Sequence, residues 1–362
     1  MQYIIFFIAA VAFSVLINGL FLKFSRTMGT KNNPGETEIR WGSTSKPAFG
    51  GISFYIVFLL SFAVYAIVFA SREIPLEFFG VLIASSIGFL IGLADDAYNT
   101  KPILKFMGQF ACAFVLIATD NYITLFQSEL LNYSLTIVWV IGMMNSINML
   151  DNMDGITTSV SIGIISTALF TLVLTQNMSH LYFWVLLGTV AALLGFLYYN
   201  WNPSRMYMGD TGSQFLGALL AAIGIYFFWN GYQFSDTSFI PKAITPILAF
   251  LPSIIDTTCV TINRISKGKS PFVGGRDHTT HHLSYLGLKD RHIAIFFLSL
   301  TFICGGVSLY FNYELKEWSI GGSIGIIAFI LTTFISLLCI ISVNSTIKHR
   351  LKDFLIAILD SI

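Results

Sequence analysis

Four short stretches of this sequence carry residues that could do chemistry together. The first is Leu93-Ala-Asp95-Asp96-Ala-Tyr-Asn99-Thr-Lys101-Pro-Ile-Leu-Lys105. Two adjacent carboxylates repel each other, an arrangement that makes sense beside a cation or a shared proton. The second, Asn145-Ser-Ile-Asn148-Met-Leu-Asp151-Asn152-Met-Asp154-Gly155, repeats Asn145, Asn148 and Asp151 at every third position, so in a helix they share one face. The third runs from Asn200 to Ser213 and ends in Gly209-Asp210-Thr211-Gly212-Ser213 ahead of an apolar run. Such a turn allows close backbone approach and leaves the free N–H groups of a helix N-terminus for an anion; read alone it also fits an ordinary helix cap. The fourth stretch, Lys267 to Leu283, gathers His278, His281 and His282, three of the chain's six histidines, beside Arg276. Imidazole and guanidinium donors suit phosphate oxygens. Zinc is disfavoured there, because the H-E-x-x-H pattern and any cysteine partner are missing.

The elements that must hold these stretches are membrane helices. Of 362 residues, 55% are hydrophobic and 11% charged, with a mean hydropathy of +0.74; a soluble protein averages about 25% charged, so a soluble enzyme is excluded. A formal net charge of +1 lacks the basic surface that nucleic acid requires. Cys112, Cys259, Cys304 and Cys339 lie singly in apolar runs, as packing residues and not as a disulfide framework. Crossing ~30 Å of hydrocarbon takes ~20 apolar residues, and spans are expected near 2–22, 48–70, 77–94, 106–119, 133–150, 156–176, 181–199, 213–229, 244–262, 293–312 and 320–343. This is an all-α polytopic membrane protein of about eleven spans, forming one domain over residues 1–362. The first basic residue, Lys23, follows the first apolar run, the reverse of a signal peptide, so that run is expected to remain as a span.

Basic residues are retained on the cytoplasmic side. With the N-terminus outside and the C-terminus inside, all of the 20 Lys and Arg except Arg72, Lys242 and Lys316 fall on inner segments. The same inner segments hold the four stretches, and acids at a membrane boundary are functional by default. Asp256 precedes Arg264 by eight residues, which in a helix puts it ~12 Å inside the ninth span, expected to pair with a basic loop residue or to line a cavity. Carboxylates and amides for a hard divalent cation, with Lys, Arg and His donors for phosphate, make a site where a soluble phosphate ester meets a lipid phosphate. A transporter would show inverted repeats with acids near the midplane. A CDP-alcohol phosphotransferase would carry an Ala-Arg pair and two later acids after its Asp-Gly, where this chain has Ile-Thr-Thr-Ser after Asp154-Gly155.

In order along the chain, Pro47-Ala-Phe-Gly50-Gly51, Asp95-Asp96 with Lys101, Lys105 and Gly108-Gln109, Asn145 to Gly155, Met208 to Ser213, Ser270-Pro-Phe and Arg276 to Leu283 resemble the polyprenyl-phosphate N-acetylhexosamine-1-phosphate transferase family, glycosyltransferase family 4, in its bacterial WecA and TagO branch. The resemblance implies a bacterial inner-membrane enzyme with its active site on the cytoplasmic face. Undecaprenyl phosphate would attack the sugar-proximal phosphorus of a UDP-sugar, giving undecaprenyl-pyrophosphoryl sugar and UMP, to initiate a cell-surface polysaccharide, with GlcNAc-1-phosphate the expected group. It also implies Mg²⁺, with Mn²⁺ as a substitute, on Asn148 and Asp210. Asp95 and Asp96 match the catalytic acids that activate or position the lipid phosphate; positioning is favoured, since that phosphate is already largely ionised at pH 7. Lys105 and Arg276 match phosphate contacts, and His278, His281 and His282 the substrate-binding histidine motif, with Asn145, Asp151 and Asp154 as further nucleotide or sugar contacts. The implied partners are a UDP-sugar, undecaprenyl phosphate and membrane lipid, with a homodimer left open. Two departures stand out: Asn99 occupies the place of a frequent third acid, and His278-Thr-Thr-His281-His282 is one residue longer than the usual motif. The triple-histidine pattern of the branch that uses UDP-MurNAc-pentapeptide is absent, which disfavours that substrate, while the choice among UDP-HexNAc sugars rests on a few hydrogen bonds too fine to read from spacing.

Overall fold

A computed structural model describes residues 1–27, 46–69, 73–231, 239–270, 275–313 and 320–359. The described residues form helices and no strand: α1 (Gln2–Thr27), α2 (Gly50–Val68), α3 (Leu76–Tyr98), α4 (Pro102–Ala118), α5 (Glu129–Leu150), α6 (Ile156–Leu174), α7 (Leu181–Asn200), α8 (Gly209–Gly224), α9 (Phe239–Ala249), α10 (Leu251–Ser266), α11 (Thr279–Tyr285), α12 (Asp290–Tyr313) and α13 (Ile320–Leu359). A π-turn, Ile225–Trp229, prolongs α8. Part of the expected loop 23–47, the motif residues Pro271 and Phe272, and the basic residues Lys31, Arg40, Arg72 and Lys316 lie outside the described residues.

Among the described residues nine helices are long and apolar enough to cross a membrane, and the chain is a multi-pass membrane protein. One of the eleven expected spans comes out differently, while the fourth, expected over the short stretch 106–119, is the 17-residue α4. The ninth span, expected to be continuous over 244–262, is bent by 83° between Lys242–Ala249 and Leu251–Ser266. Pro252 in the first turn of α10 cannot continue α9, because its ring would strike the carbonyl four residues back, so the backbone resets at Phe250.

α8 is the axis of the bundle. Every residue from Thr211 to Gly224 is buried, whereas the peripheral α1 exposes Ile4, Ile5, Ile8, Leu16 and Leu20. Small residues let backbones approach where lipid offers no hydrophobic drive between helices. Between α3 and α8 the approach is closest at Gly92, where an added Cβ would lie 2.1 Å from the Asp210 carbonyl oxygen. That contact sets the C-terminal end of α3 against the N-terminal end of α8, so the two helices run antiparallel.

Candidate active site

Asp95, in the last turn of α3, accepts from the Thr100 N–H at 3.0 Å and from Lys105 Nζ at 3.3 Å. The chain can turn back so soon because Asn99 adopts a left-handed φ of 49° as the C-cap of α3, a conformation that asparagine tolerates. The residue that replaces a frequent third acid is therefore a turn residue. Lys105, in the first turns of α4, reaches Asp210 Oδ2 at 2.8 Å and Asn148 Oδ1 at 3.5 Å. Asn148, near the end of α5, donates to Asp210 Oδ1 at 2.7 Å and to Ser213 Oγ at 2.8 Å. Asp95, Lys105, Asn148 and Asp210 thus form one cluster built by four helices, with three oxygen-bearing side chains around a single ammonium group.

Asp96 does something different from its neighbour. Its carboxylate accepts from the backbone N–H of Asp210 at 3.0 Å, from that of Thr211 at 2.9 Å and from the Thr211 hydroxyl at 2.6 Å. It caps α8 across the bundle, where the local N-cap, Met208, has no side chain able to do so. Gly209 makes the approach feasible: its φ is +71°, and a Cβ there would lie 2.5 Å from Asp96 Oδ2.

α5 ends at Leu150, so Asp151 falls just past the helix whose face was expected to carry it. Burial and then the like charges of Asp210, Asp96 and Asp154 push its carboxyl up to about 7. Asp154 is committed to the chain itself, accepting from the Ser204 N–H at 2.9 Å, Ser204 Oγ at 2.7 Å and Asn202 Nδ2 at 3.1 Å. Lys46 joins this knot through Ser204 Oγ at 2.9 Å. Asn145 lies deeper than the cluster, bonded to Gln109.

The histidine stretch is a second, adjoining cluster. Asp256, fully buried on α10, accepts from the Thr279 N–H and meets His278 Nδ1, each at 2.9 Å, with the Thr279 hydroxyl as a further donor. It therefore pairs with a basic loop residue, as expected, and caps α11. His278, His281 and His282 are all buried, which the expectation of loop side chains open to phosphate did not include. Burial, and then the nearby His278, pushes His281 down to about 4, so it is neutral at pH 7, with its ring 5.6 Å from that of His278. Arg264 forms a two-point pair with Asp277, 2.9 Å from Nε and 2.7 Å from Nη2, and that guanidinium keeps Asp277 below the usual carboxylate range against the opposing effect of burial. Arg276 is exposed. Thr280 Oγ1 donates to Asn152 Oδ1 at 2.6 Å, which ties α11 to the turn that carries Asp151 and Asp154.

The loops preceding α2, joining α3 to α4, joining α5 to α6, joining α7 to α8 and preceding α11 are thus linked at one end of the bundle. Pairing across distant stretches was invisible along the chain for Gln109, Ser204, Thr211, Ser213, Gln214 and Thr280; all but Gln214 lie inside the motifs quoted above, and Gln214 is signalled only by standing one helical turn after Asp210. Among the described residues no group of three or more His, Cys, Asp or Glu could hold a metal ion by itself.

Residues 78–228 match the family model described as glycosyl transferase family 4; that segment includes the whole Asp95, Lys105, Asn148 and Asp210 cluster. The chain is 26% identical to a probable undecaprenyl-phosphate N-acetylglucosaminyl 1-phosphate transferase of Bacillus subtilis, over 97% of this chain and 94% of the relative. It is 28% identical to a phospho-N-acetylmuramoyl-pentapeptide-transferase of Staphylococcus aureus, over 74% of this chain and 85% of the relative.

Proposed function

We propose, from the match of residues 78–228 to the glycosyl transferase family 4 model, that the chain transfers an N-acetylhexosamine 1-phosphate, GlcNAc-1-phosphate foremost, from a UDP-sugar to undecaprenyl phosphate. An oxygen of the lipid phosphate bonds to the sugar-proximal phosphorus, the bond from that phosphorus to the UMP oxygen breaks, and UMP leaves. The product, undecaprenyl-pyrophosphoryl sugar, would initiate a cell-surface polysaccharide at the cytoplasmic face of a bacterial inner membrane. One observation carries this reading: Asp95, Asn148 and Asp210, from three helices, converge on Lys105 of a fourth at one end of the bundle, with Lys105 Nζ 2.8 Å from Asp210. A cation already sits among hard oxygen donors there, beside a neutral amide.

The donor set fits Mg²⁺, which is usually held by one or two carboxylates together with substrate phosphates and water. Asn148 and Asp210 would hold it, and when bound it supplies charge neutralisation and Lewis acidity at the pyrophosphate. Lys105 binds phosphate oxygens from the same cluster, and the exposed Arg276 reaches for them from the neighbouring one. Asp95 takes donors from Thr100 and Lys105 and Asp96 takes three from the start of α8, so both carboxylates work by placing Lys105 and Asp210. The lipid phosphate, ionised at pH 7, needs no strong base.

Exchange of label tests the reaction. One phosphoanhydride replaces another, so the equilibrium lies within roughly ten- to a hundredfold of unity, with ~1.4 kcal/mol per tenfold, and the enzyme must run backwards. Given undecaprenyl-pyrophosphoryl-GlcNAc, labelled UMP and Mg²⁺, it is expected to form labelled UDP-GlcNAc, and UDP is expected not to replace UMP. Exchange only into UDP would mean that the glycosidic bond breaks and the reading is wrong. Turnover confined to UDP-MurNAc-pentapeptide would instead assign the chemistry of the Staphylococcus aureus relatives.

A further inference from the structure

One helical turn below Lys105, Asn148 and Asp210 lies a second layer made only of amides. Gln109 follows Lys105 by four residues on α4, Asn145 precedes Asn148 by three on α5, and Gln214 follows Asp210 by four on α8. Each therefore shares a helix face with its partner. The cluster marks the N-terminal ends of α4 and α8 and the C-terminal end of α5, so all three offsets point the same way, about 5–6 Å into the bundle. There the amides meet. Gln109 Nε2 donates to Asn145 Oδ1 at 3.3 Å and to Gln214 Oε1 at 3.1 Å, while Gln109 Oε1 accepts from Asn145 Nδ2 at 2.8 Å. Gln109 is 1% exposed and Gln214 0%.

Folding alone gives no reason for this layer. Apolar side chains of the same volume would pack three membrane helices without desolvating amides, and the layer is not even self-sufficient, since the buried Gln214 Nε2 has no acceptor among the described residues. Hydrogen bonds do what apolar packing does not: they fix the rotation of each helix about its own axis, because the bonds are directional. A side chain one turn away swings with its helix, and reacting groups tolerate little displacement.

We infer that Gln109, Asn145 and Gln214 form a positioning clamp that sets the mutual placement of Lys105, Asn148 and Asp210, with Gln109 as its hub. The clamp takes Asn145, which the sequence assigned to substrate, out of direct contact and makes it a positioning residue. The inference rests on the transferase reading for what the placed groups accomplish.

Gln109→Met, which keeps length and volume, tests it against wild type in detergent with two readouts. The first is saturation kinetics with labelled UDP-GlcNAc and undecaprenyl phosphate. The second needs no turnover: the rate at which an acetylating N-hydroxysuccinimide ester labels Lys105, followed by peptide mass spectrometry. A folded Gln109→Met protein is expected to lose ~10- to 100-fold in kcat with KM for the UDP-sugar little changed, and to acetylate Lys105 several-fold faster, because the ammonium group leaves its seat between Asp95 and Asp210. Wild-type kcat together with wild-type labelling would overturn the clamp. Should Gln109→Met fail to fold, replacing all three amides at once (Gln109→Met, Asn145→Leu, Gln214→Met) removes every unmatched polar group from the layer; that protein is expected to fold and to be slow, and a fast one would overturn the clamp equally. If wild type shows no transfer, the proposed function falls, while the Lys105 labelling still decides the clamp.

Discussion

Adjacent residues of the same type do unlike work here, and the reason is direction. Asp95 and Asp96 are about 100° apart around α3, so one faces Lys105 and the other faces the start of α8. The role of Asp210 and Asn148 is tested most directly by Asp210→Asn and Asn148→Ala. Both sit at the mouth of the bundle, and loss of metal charge stabilisation is worth several kcal/mol, so at ordinary Mg²⁺ turnover is expected to fall at least ~10-fold in each while the protein stays folded. A smaller loss, read from initial rates over a Mg²⁺ titration, would put the cation elsewhere. Asp151 predicts a pH effect. Its carboxyl is raised from 3.8 to about 7, so the folded state holds the extra proton; the stability it contributes is full below the unfolded value and is lost as pH rises through about 7. His281, lowered from 6.5 to about 4, slopes the other way, with stability lost as pH falls through that interval. The two oppose each other in wild type, but the difference between wild type and Asp151→Asn isolates the carboxyl. The variant is expected to gain in relative melting temperature as pH rises from about 4 to 7 and then level off, and a flat difference would contradict the assignment.

At the scale of elements, short helices are held by carboxylates that belong to other helices. α11 has seven residues, too few to be stable alone, and the Asp256 carboxylate on α10 bonds its first N–H and the histidine before it. Leaving a buried donor without its acceptor costs ~1–3 kcal/mol, so Asp256→Ala is expected to free α11 while leaving the long helices intact. Limited trypsinolysis in detergent reads this directly, since Lys269 and Arg276 are exposed on either side of the preceding loop: cleavage there is expected to accelerate strongly. Equal cleavage rates in wild type and variant would mean that α11 is held by packing alone. The bend between α9 and α10 belongs to the same logic. It frees the start of α10, where the Ser253 carbonyl accepts from Ser146 Oγ on α5 at 2.9 Å and Thr257 Oγ1 donates to that hydroxyl at 2.9 Å, tying the helix of Asp256 to the helix of Asn148.

For the whole molecule, the antiparallel packing of α3 with α4 and of α5 with α8 follows from the cluster itself, since side chains at a C-terminal, an N-terminal, a C-terminal and an N-terminal end lie within hydrogen-bonding reach. Which side of the membrane that end faces is a separate matter, and from the basic residues we propose the cytoplasmic side. Single cysteines placed in the 23–47 and 263–292 segments of a chain otherwise free of cysteine are expected to react with an impermeant maleimide only after the cells are opened. Labelling of either segment in intact cells would invert the orientation and separate the site from a cytoplasmic UDP-sugar.

Composition and apolar periodicity were sufficient for a helical membrane protein, because crossing hydrocarbon demands long apolar runs and allows few charges, a constraint written locally along the chain. The residues of the cluster were legible for the same reason: Asp95, Lys105, Asn148 and Asp210 stand out where membrane folding alone would not put them. What each polar group faces was not legible, since that depends on contacts between residues far apart in sequence. Asp96 reads as a twin of Asp95 until α8 is packed against α3 through Gly92, and Asn145 reads as one face of a polar stripe until Gln109 is seen to take both ends of its amide. The break in the ninth span turns on Pro252, a residue also tolerated in spans that merely kink. Hydrophobic patterning specifies that a helix is buried in a bilayer; the rotation and depth at which it packs, and so which side chains meet, are settled by close contacts and directional hydrogen bonds that exist only in the folded bundle.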